Sequence, residues 1–223
     1  MPWCLLKAAM HYFITGTDTN VGKTYVTCLL LEALRREGHE AVGFKPVACG
    51  DRTDAAAILH ACHGASLTLD EVNPVFLKAP AAPCVAALLE NKPIHVEAIT
   101  EAFSRLTQRF ATVLVEGAGG WEVPLAAKQT MADFAQDLAL PVIVVVNNKL
   151  GALNHTILTV RNIQARGMTC TGIILNQVAD ERDTASISNR AMMEQFLDVP
   201  VIAEVMHGET ELVLPDGWAH SAS

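Results

Sequence analysis

Aromatic residues are scarce in this chain: 5% of its 223 positions, against a hydrophobic fraction of 51%. Its core must therefore be packed from Ala, Val, Leu and Ile. No cluster of Lys and Arg exists, and 16 basic against 24 acidic side chains leave a formal net charge of −8. That excludes the electrostatic footprint of a nucleic-acid binder or of a protein held on an anionic membrane. No apolar run is long enough to span a bilayer. Met1 to Met10 carries one lysine and a very short apolar stretch, without the long core and cleavage site of a signal peptide. The six cysteines, Cys4, Cys28, Cys49, Cys62, Cys84 and Cys170, form no C-x-x-C pair. Scattered thiols point to a reduced, cytoplasmic protein rather than a disulfide scaffold. His60-Ala61-Cys62-His63 lacks a second ligand cluster and reads as a polar turn closing a helix before Gly64. There is no repeat, low-complexity tract or linker. A chain of this length can bury roughly 70% of its unfolded surface, so one domain over residues 1–223 is expected. Residues 1–9 read as an N-terminal extension, and about 215–223 as a loose tail.

What is present is an alternation of strands and helices. Strands are predicted at His11–Thr15, Glu40–Phe44, Thr112–Glu116, Val142–Asn147, Thr171–Asn176 and Val201–Val205. Helices are predicted at Lys23–Glu37, Asp54–His63, Pro83–Glu90, Val96–Gln108, Met131–Ala139, Asn154–Arg166 and Ser186–Leu197. Continuous apolar runs such as Val142-Ile143-Val144-Val145-Val146 suit parallel strands buried on both faces. The fold class expected is α/β: a doubly wound, mostly parallel sheet with helices on both faces, like a P-loop NTPase. Ligands of such sheets bind at the carboxyl ends of the strands.

The first strand runs into Gly16-Thr17-Asp18-Thr19-Asn20-Val21-Gly22-Lys23-Thr24 and then an amphipathic helix. Strand, glycine loop and helix are the context a phosphate-binding loop requires. Gly22 lets the backbone approach an anion without a Cβ. The helix start offers amides and a positive dipole end. Lys23 supplies a mobile charge for the outer phosphates, and the Thr24 hydroxyl can hold Mg²⁺. Five residues separate Gly16 from Gly22, one more than the common spacing.

Other strand ends bring polar groups to the same edge. Lys45 follows the second strand, directly before Pro46, and reads as an anion-binding cation. Glu116 ends an apolar strand and opens Gly117-Ala118-Gly119-Gly120, where a carboxylate for Mg²⁺ commonly stands and the glycines give a ligand close backbone access. Asp54 heads a helix and reads equally as an N-cap or as a metal-facing carboxylate. Asn176 and Gln177 follow a strand with paired amide donors and acceptors that could read a purine edge.

Taken together, GTDTNVGKT at 16–24, KPVACG at 45–50, VEGAGGW at 115–121, LPVIVVVNNKLGALNH at 140–155 and Asn176 resemble the dethiobiotin synthetase family, ATP-dependent cyclo-ligases of biotin synthesis. The five-residue spacing is itself that family's form. The resemblance implies a reaction of 7,8-diaminopelargonic acid, CO₂ and ATP to dethiobiotin, ADP and phosphate. It implies Lys45, Lys23 and Thr19 as the catalytic set, with Thr24, Asp54 and Glu116 on the Mg²⁺ side. It implies ATP contacts from Asn20, Val21, Gly22, Lys23, Thr24 and Tyr25, from Asp54, Glu116, Gly117, Ala118 and Gly119, and from Asn176 and Gln177 near adenine. It implies substrate contacts from Thr19, Lys45 and Cys49, and from Leu150, Gly151 and Asn154 of a neighbouring subunit, hence a homodimer with composite sites.

Three departures accompany the match. Cys49 stands where the family commonly has Ser, a smaller and better hydrogen-bond donor. The stretch from Gly50 to Asp54 is short, which makes Asp51 a substitute for Asp54 at the metal. Val205-Met206-His207 stands where a proline-containing turn is expected against the base. Among rival readings, a partition-type ATPase switch would carry a second lysine inside the loop, and Thr17–Val21 has none. A degenerate nucleotide sensor need not retain Lys45, Glu116 and Asn154 together, and a larger amide ligase would need more chain.

Overall fold

The computed structural model describes residues 10–215 and Trp218. Its frame is a six-stranded parallel sheet in the order β10-β9-β8-β1-β5-β2. The strands are β1 (Met10–Gly16), β2 (Ala41–Phe44), β5 (Thr112–Glu116), β8 (Val142–Asn147), β9 (Cys170–Asn176) and β10 (Val201–Val205). Two short pairs stand apart from it: β3 (Val47–Cys49) parallel to β4 (Val75–Leu77), and β6 (Pro124–Ala126) antiparallel to β7 (Gln129–Thr130). The helices are α1 (Lys23–Arg36), α2 (Thr53–Ala61), α3 (Leu69–Val72), α4 (Pro83–Leu89), α5 (Val96–Thr107), α6 (Met131–Asp137), α7 (Ala152–Ala165) and α8 (Thr184–Phe196).

The central strands are apolar throughout because both of their faces are covered. Val142 to Val146 are all 0% exposed, as are Tyr12, Phe13 and Ile14. From β1 the chain crosses to β2 at the far edge and returns to β5. It then passes to β8 on the other side of β1. Right-handed crossovers in opposite directions place helices on opposite faces of the sheet. They also make the carboxyl end of β1 the switch point, where a crevice opens. Helix α5 shows how a helix meets such a sheet: Val96, Ile99, Ala102, Phe103 and Leu106 form one buried stripe.

All six predicted strands and all seven predicted helices are present, with ends shifted by one or two residues. The short pairs and α3 were not predicted, since three- and four-residue elements carry no readable period. A capping box between Thr68 and Glu71 opens α3. Asp54 is not the N-cap of α2. Arg52 holds that position, and Asp51 Oδ1 accepts from the Thr53 amide at 2.9 Å. Leu212 and Leu214, just before the expected tail, are buried; within it Trp218 is buried and stacks on Tyr12 with ring centroids 5.0 Å apart. The expected extension at residues 1–9, and 216, 217 and 219–223, lie outside the described residues.

Candidate active site

The loop from Thr17 to Gly22 joins β1 to α1 at the switch point. Asn20 and Gly22 take positive φ, 58° and 83°, which folds the loop back on itself. A Cβ on Gly22 would lie 2.1 Å from Asn176 Nδ2, so the position requires glycine on steric as well as conformational grounds. Asn176, at the end of β9, donates from Nδ2 to the Val21 carbonyl at 2.9 Å and so pins the loop. No acidic side chain occupies the first turn of α1, and its N-terminus is left for an anion. Lys23 folds back over the loop, 7% exposed, and donates to the Asp18 carbonyl at 3.2 Å.

Beside the loop, Lys45, Glu116, Asp54 and Thr24 come together from the ends of β2 and β5 and the first turns of α2 and α1. Lys45 Nζ donates to Glu116 Oε1 at 2.5 Å and to Asp54 Oδ2 at 3.0 Å. The Thr24 hydroxyl donates to the same Glu116 Oε1 at 2.7 Å. Glu116 is 0% exposed, yet among the described residues its Oε2 has no hydrogen-bond partner. An unpaired buried carboxylate oxygen is costly and points to a missing cationic or protic neighbour. Asp51 does not join this group; its carboxylate is engaged by Thr53.

The two lysines differ in charge balance. Burial first, and then the Lys45 charge, push Lys23 down to about 8, although Glu116, Asp54 and Asp18 oppose the fall. Burial would also lower Lys45, but the charges and hydrogen bonds of Glu116 and Asp54 outweigh it and hold Lys45 above its ordinary value. Burial raises the Cys49 thiol, helped by Glu90 and opposed by Lys45.

A cavity of about 520 Å³ opens from this group. Thr19, Lys45, Cys49, Asp54, Ala118 and Gly119 line it, and Pro80 to Pro83 form a further wall. Six of the sequence-predicted residues thus share the wall of one space. The structure does not bring Leu150, Gly151 and Asn154 there. Gly151 caps α7 with φ 91°, while Leu150 (78% exposed) and Asn154 face outward past β8. Gln177 turns away from the loop and donates to the Ala179 and Glu181 carbonyls, each at 3.2 Å. Tyr25 donates its hydroxyl to the Glu209 carbonyl. The turn after β10 is shaped without proline: Glu209 Oε2 accepts from the Met206 amide at 2.7 Å, and His207 Nδ1 lies 2.8 Å from the Val178 carbonyl. Sequence reasoning missed Asn73 and Arg52, which bind the backbone of Lys45 and of α3; their contacts are tertiary and carry no motif.

In His60–His63, Cys62 is buried and its Sγ accepts from the Gly43 amide at 3.1 Å. Among the described residues no group of three or more His, Cys, Asp or Glu is placed to hold a metal. The oxygen set at the loop is two carboxylates and a hydroxyl, a hard set that fits Mg²⁺ better than a transition metal. Among the described residues no helix is long and apolar enough to cross a membrane.

A parallel sheet with a lysine-bearing glycine loop at its switch point defines a P-loop nucleotide-binding domain. Comparison with known proteins agrees. A family described as "AAA domain" matches residues 10–210. The septum site-determining protein MinD of Pyrococcus horikoshii has the same fold at a TM-score of 0.58 and 19% identity, over 88% of this chain and 81% of that one. Within that class the sequence is more specific. It is 50% identical to the ATP-dependent dethiobiotin synthetase BioD of Akkermansia muciniphila, over 89% of this chain and 93% of that protein. It is 41% identical to the same enzyme of Aromatoleum aromaticum, over 88% and 90% respectively. The chain belongs to the ATP-dependent dethiobiotin synthetase family.

Proposed function

We propose that the protein makes dethiobiotin from 7,8-diaminopelargonic acid, CO₂ and ATP. The observation that carries this reading is the pair of buried lysines flanking one phosphate loop, with Lys45 opening onto the 520 Å³ cavity. One amine of the substrate adds to CO₂, losing a proton to give a carbamate. A carbamate oxygen attacks the γ-phosphorus and ADP departs, leaving a carbamic–phosphoric anhydride. The second amine attacks the carbonyl carbon, phosphate leaves, and the ureido ring closes. No protein nucleophile is needed, so the residues act by placement and charge. The loop amides from Asn20 to Thr24, with Tyr25 beside them, hold the phosphates. Lys23 meets the γ-phosphate as its charge grows, and Lys45 and Thr19 hold the carbamate. Gly117, Ala118 and Gly119 let the substrates approach the backbone closely, while Cys49 lines the diamine's path. Asn176 and Gln177 belong to the adenine end.

Thr24, Glu116 and Asp54 would hold Mg²⁺, directly or through water. The unpartnered Glu116 Oε2 supports that assignment. The ion, when bound, neutralises charge on the outer phosphates.

We further propose a homodimer located in the cytoplasm. The start of α7 supports the dimer. Leu150 in the turn before the helix and Leu158 within it are 78% and 61% exposed, and Asn154 in the first turn is exposed between them. A second copy seated there would bury them and bring Leu150, Gly151 and Asn154 toward its partner's substrate carboxylate, at the positive end of α7. Leu158→Asp is expected to halve the mass seen by light scattering and to raise KM for the diamine, with the affinity for an ATP analogue unchanged.

ADP release with Mg-ATP and bicarbonate, with and without the diamine, tests the activity when coupled to mass spectrometry of the product. Diamine-dependent ADP and a dethiobiotin mass are expected. ADP release indifferent to the diamine would overturn the reading.

A further inference from the structure

Asn73 closes α3 and is 1% exposed. Every polar atom of its side chain is used. Nδ2 donates to the Lys45 carbonyl at 2.8 Å and to the Val75 carbonyl at 3.0 Å. Oδ1 accepts from Arg52 Nε at 3.0 Å. Arg52 in turn grips the chain around Asn73, donating from Nη2 to the Asn73 carbonyl at 2.7 Å and the Leu69 carbonyl at 3.1 Å. Its ion pair with Asp70, 2.9 Å long, adds little because Asp70 is 85% exposed.

These bonds join the two segments that flank the Lys45 ammonium. On one side is the Lys45 backbone, also fixed by its amide to the Val72 carbonyl at 2.8 Å. On the other is α2, whose N-cap is Arg52 and whose first turn carries Asp54. The bond to Val75 anchors the same junction to β4, the partner of β3 and so of Cys49. A buried amide with all its bonds made fixes the geometry of what it touches, since any displacement leaves polar groups unpaired.

We infer that Asn73 and Arg52 are positioning residues for the ring-forming reaction, joining the Lys45 and Asp54 segments so that the Lys45–Glu116–Asp54 group is set before substrates arrive. This rests on the functional reading above. Misplacement of a reacting group by about an ångström costs on the order of a hundredfold in rate. The cost falls on kcat because phosphate binding by Lys23 and the loop does not run through Asn73.

The test compares wild type with Asn73→Asp, which keeps the shape and the Arg52 contact but loses both donors. Arg52→Lys keeps the charge but loses the fork, and it stands in should Asn73→Asp fail to fold. Kinetics are normalised to folded protein, and ATP-analogue affinity is measured by calorimetry. Acylation of Lys45 by an amine-reactive ester is followed by mass spectrometry, with Lys23 as internal reference. Asn73→Asp is expected to lower kcat by about tenfold to a hundredfold, with analogue affinity within about threefold. Lys45 should acylate several-fold faster, and Arg52→Lys should shift both readouts the same way but less. Unchanged kcat and unchanged Lys45 acylation, whatever the melting temperature, would overturn the inference. If wild type makes no dethiobiotin the functional reading fails, and the acylation rates alone still decide whether Asn73 places Lys45.

Discussion

The phosphate-loop side of the site and the β2–α2 side each present a buried lysine, but in opposite circumstances. Among the described residues Lys23 hydrogen-bonds to a backbone carbonyl alone, and burial and the Lys45 charge push it down to about 8. Lys45 is held between two carboxylates and stays above its ordinary value. A lysine left short of negative charge has its energetic deficit relieved when an anion arrives. A lysine already paired keeps its position and charge whether or not a ligand is present. The first arrangement suits capture of the phosphates, and the second suits orientation of a reacting group.

Exchanging the two lysines for alanine should separate these roles most sharply. Lys45→Ala is expected to lower turnover by about 10³-fold while ATP-analogue affinity changes by less than about threefold. Lys23→Ala is expected to weaken the analogue by at least about tenfold, the worth of 1.4 kcal/mol. Full activity in Lys45→Ala would remove that residue from the chemistry. Glu116→Gln comes next. It takes away the charge that holds Lys45 and the unpaired Oε2, and kcat should fall by about 10²-fold. Equal turnover in the two proteins would mean that Glu116 serves the fold alone.

The contrast also has a pH signature. Lys23 is charged below about 8 and loses its proton above it, so ATP-analogue affinity should weaken as pH rises from 7 to 10. Lys23→Ala should flatten that dependence. Stability moves the other way: between about 8 and the ordinary 10.5 the unfolded chain holds the proton that folded Lys23 has lost, so this group's contribution rises with pH. An affinity flat across the range would show that Lys23 is not the titrating group. The smallest effect is expected at Cys49, where Cys49→Ser should leave kcat/KM for the diamine within about threefold, because a hydroxyl replaces a weak donor with a better one. A large loss would mean that the thiol is specifically accommodated.

The sheet was legible in the sequence because its strands are buried on both faces and read as unbroken apolar runs, as at Val142–Val146. The phosphate loop was legible because Gly22, Lys23 and Thr24 act through local backbone geometry. Lys45 and Glu116 could be placed by the rule that strand ends face the ligand. Their ion pair, which joins positions 71 residues apart, could not. Asp54 was read equally as a cap or as a metal-facing carboxylate; the cap position belongs to Arg52, and Asp54 pairs with Lys45 instead, a contact no local pattern announces. Asn73 was invisible for the same reason as the short β3–β4 pair: a single buried amide has meaning only once the chain around it is folded.

The central claim is that a carbamate oxygen attacks ATP within the cavity beside Lys45, and ¹⁸O-labelled bicarbonate tests it most directly. With the diamine and Mg-ATP present, the account requires one ¹⁸O from the bicarbonate in the phosphate released and one in the dethiobiotin carbonyl. Phosphate carrying no label, with ADP still formed, would mean that water attacks ATP and that the lysine pair serves a nucleotide switch instead.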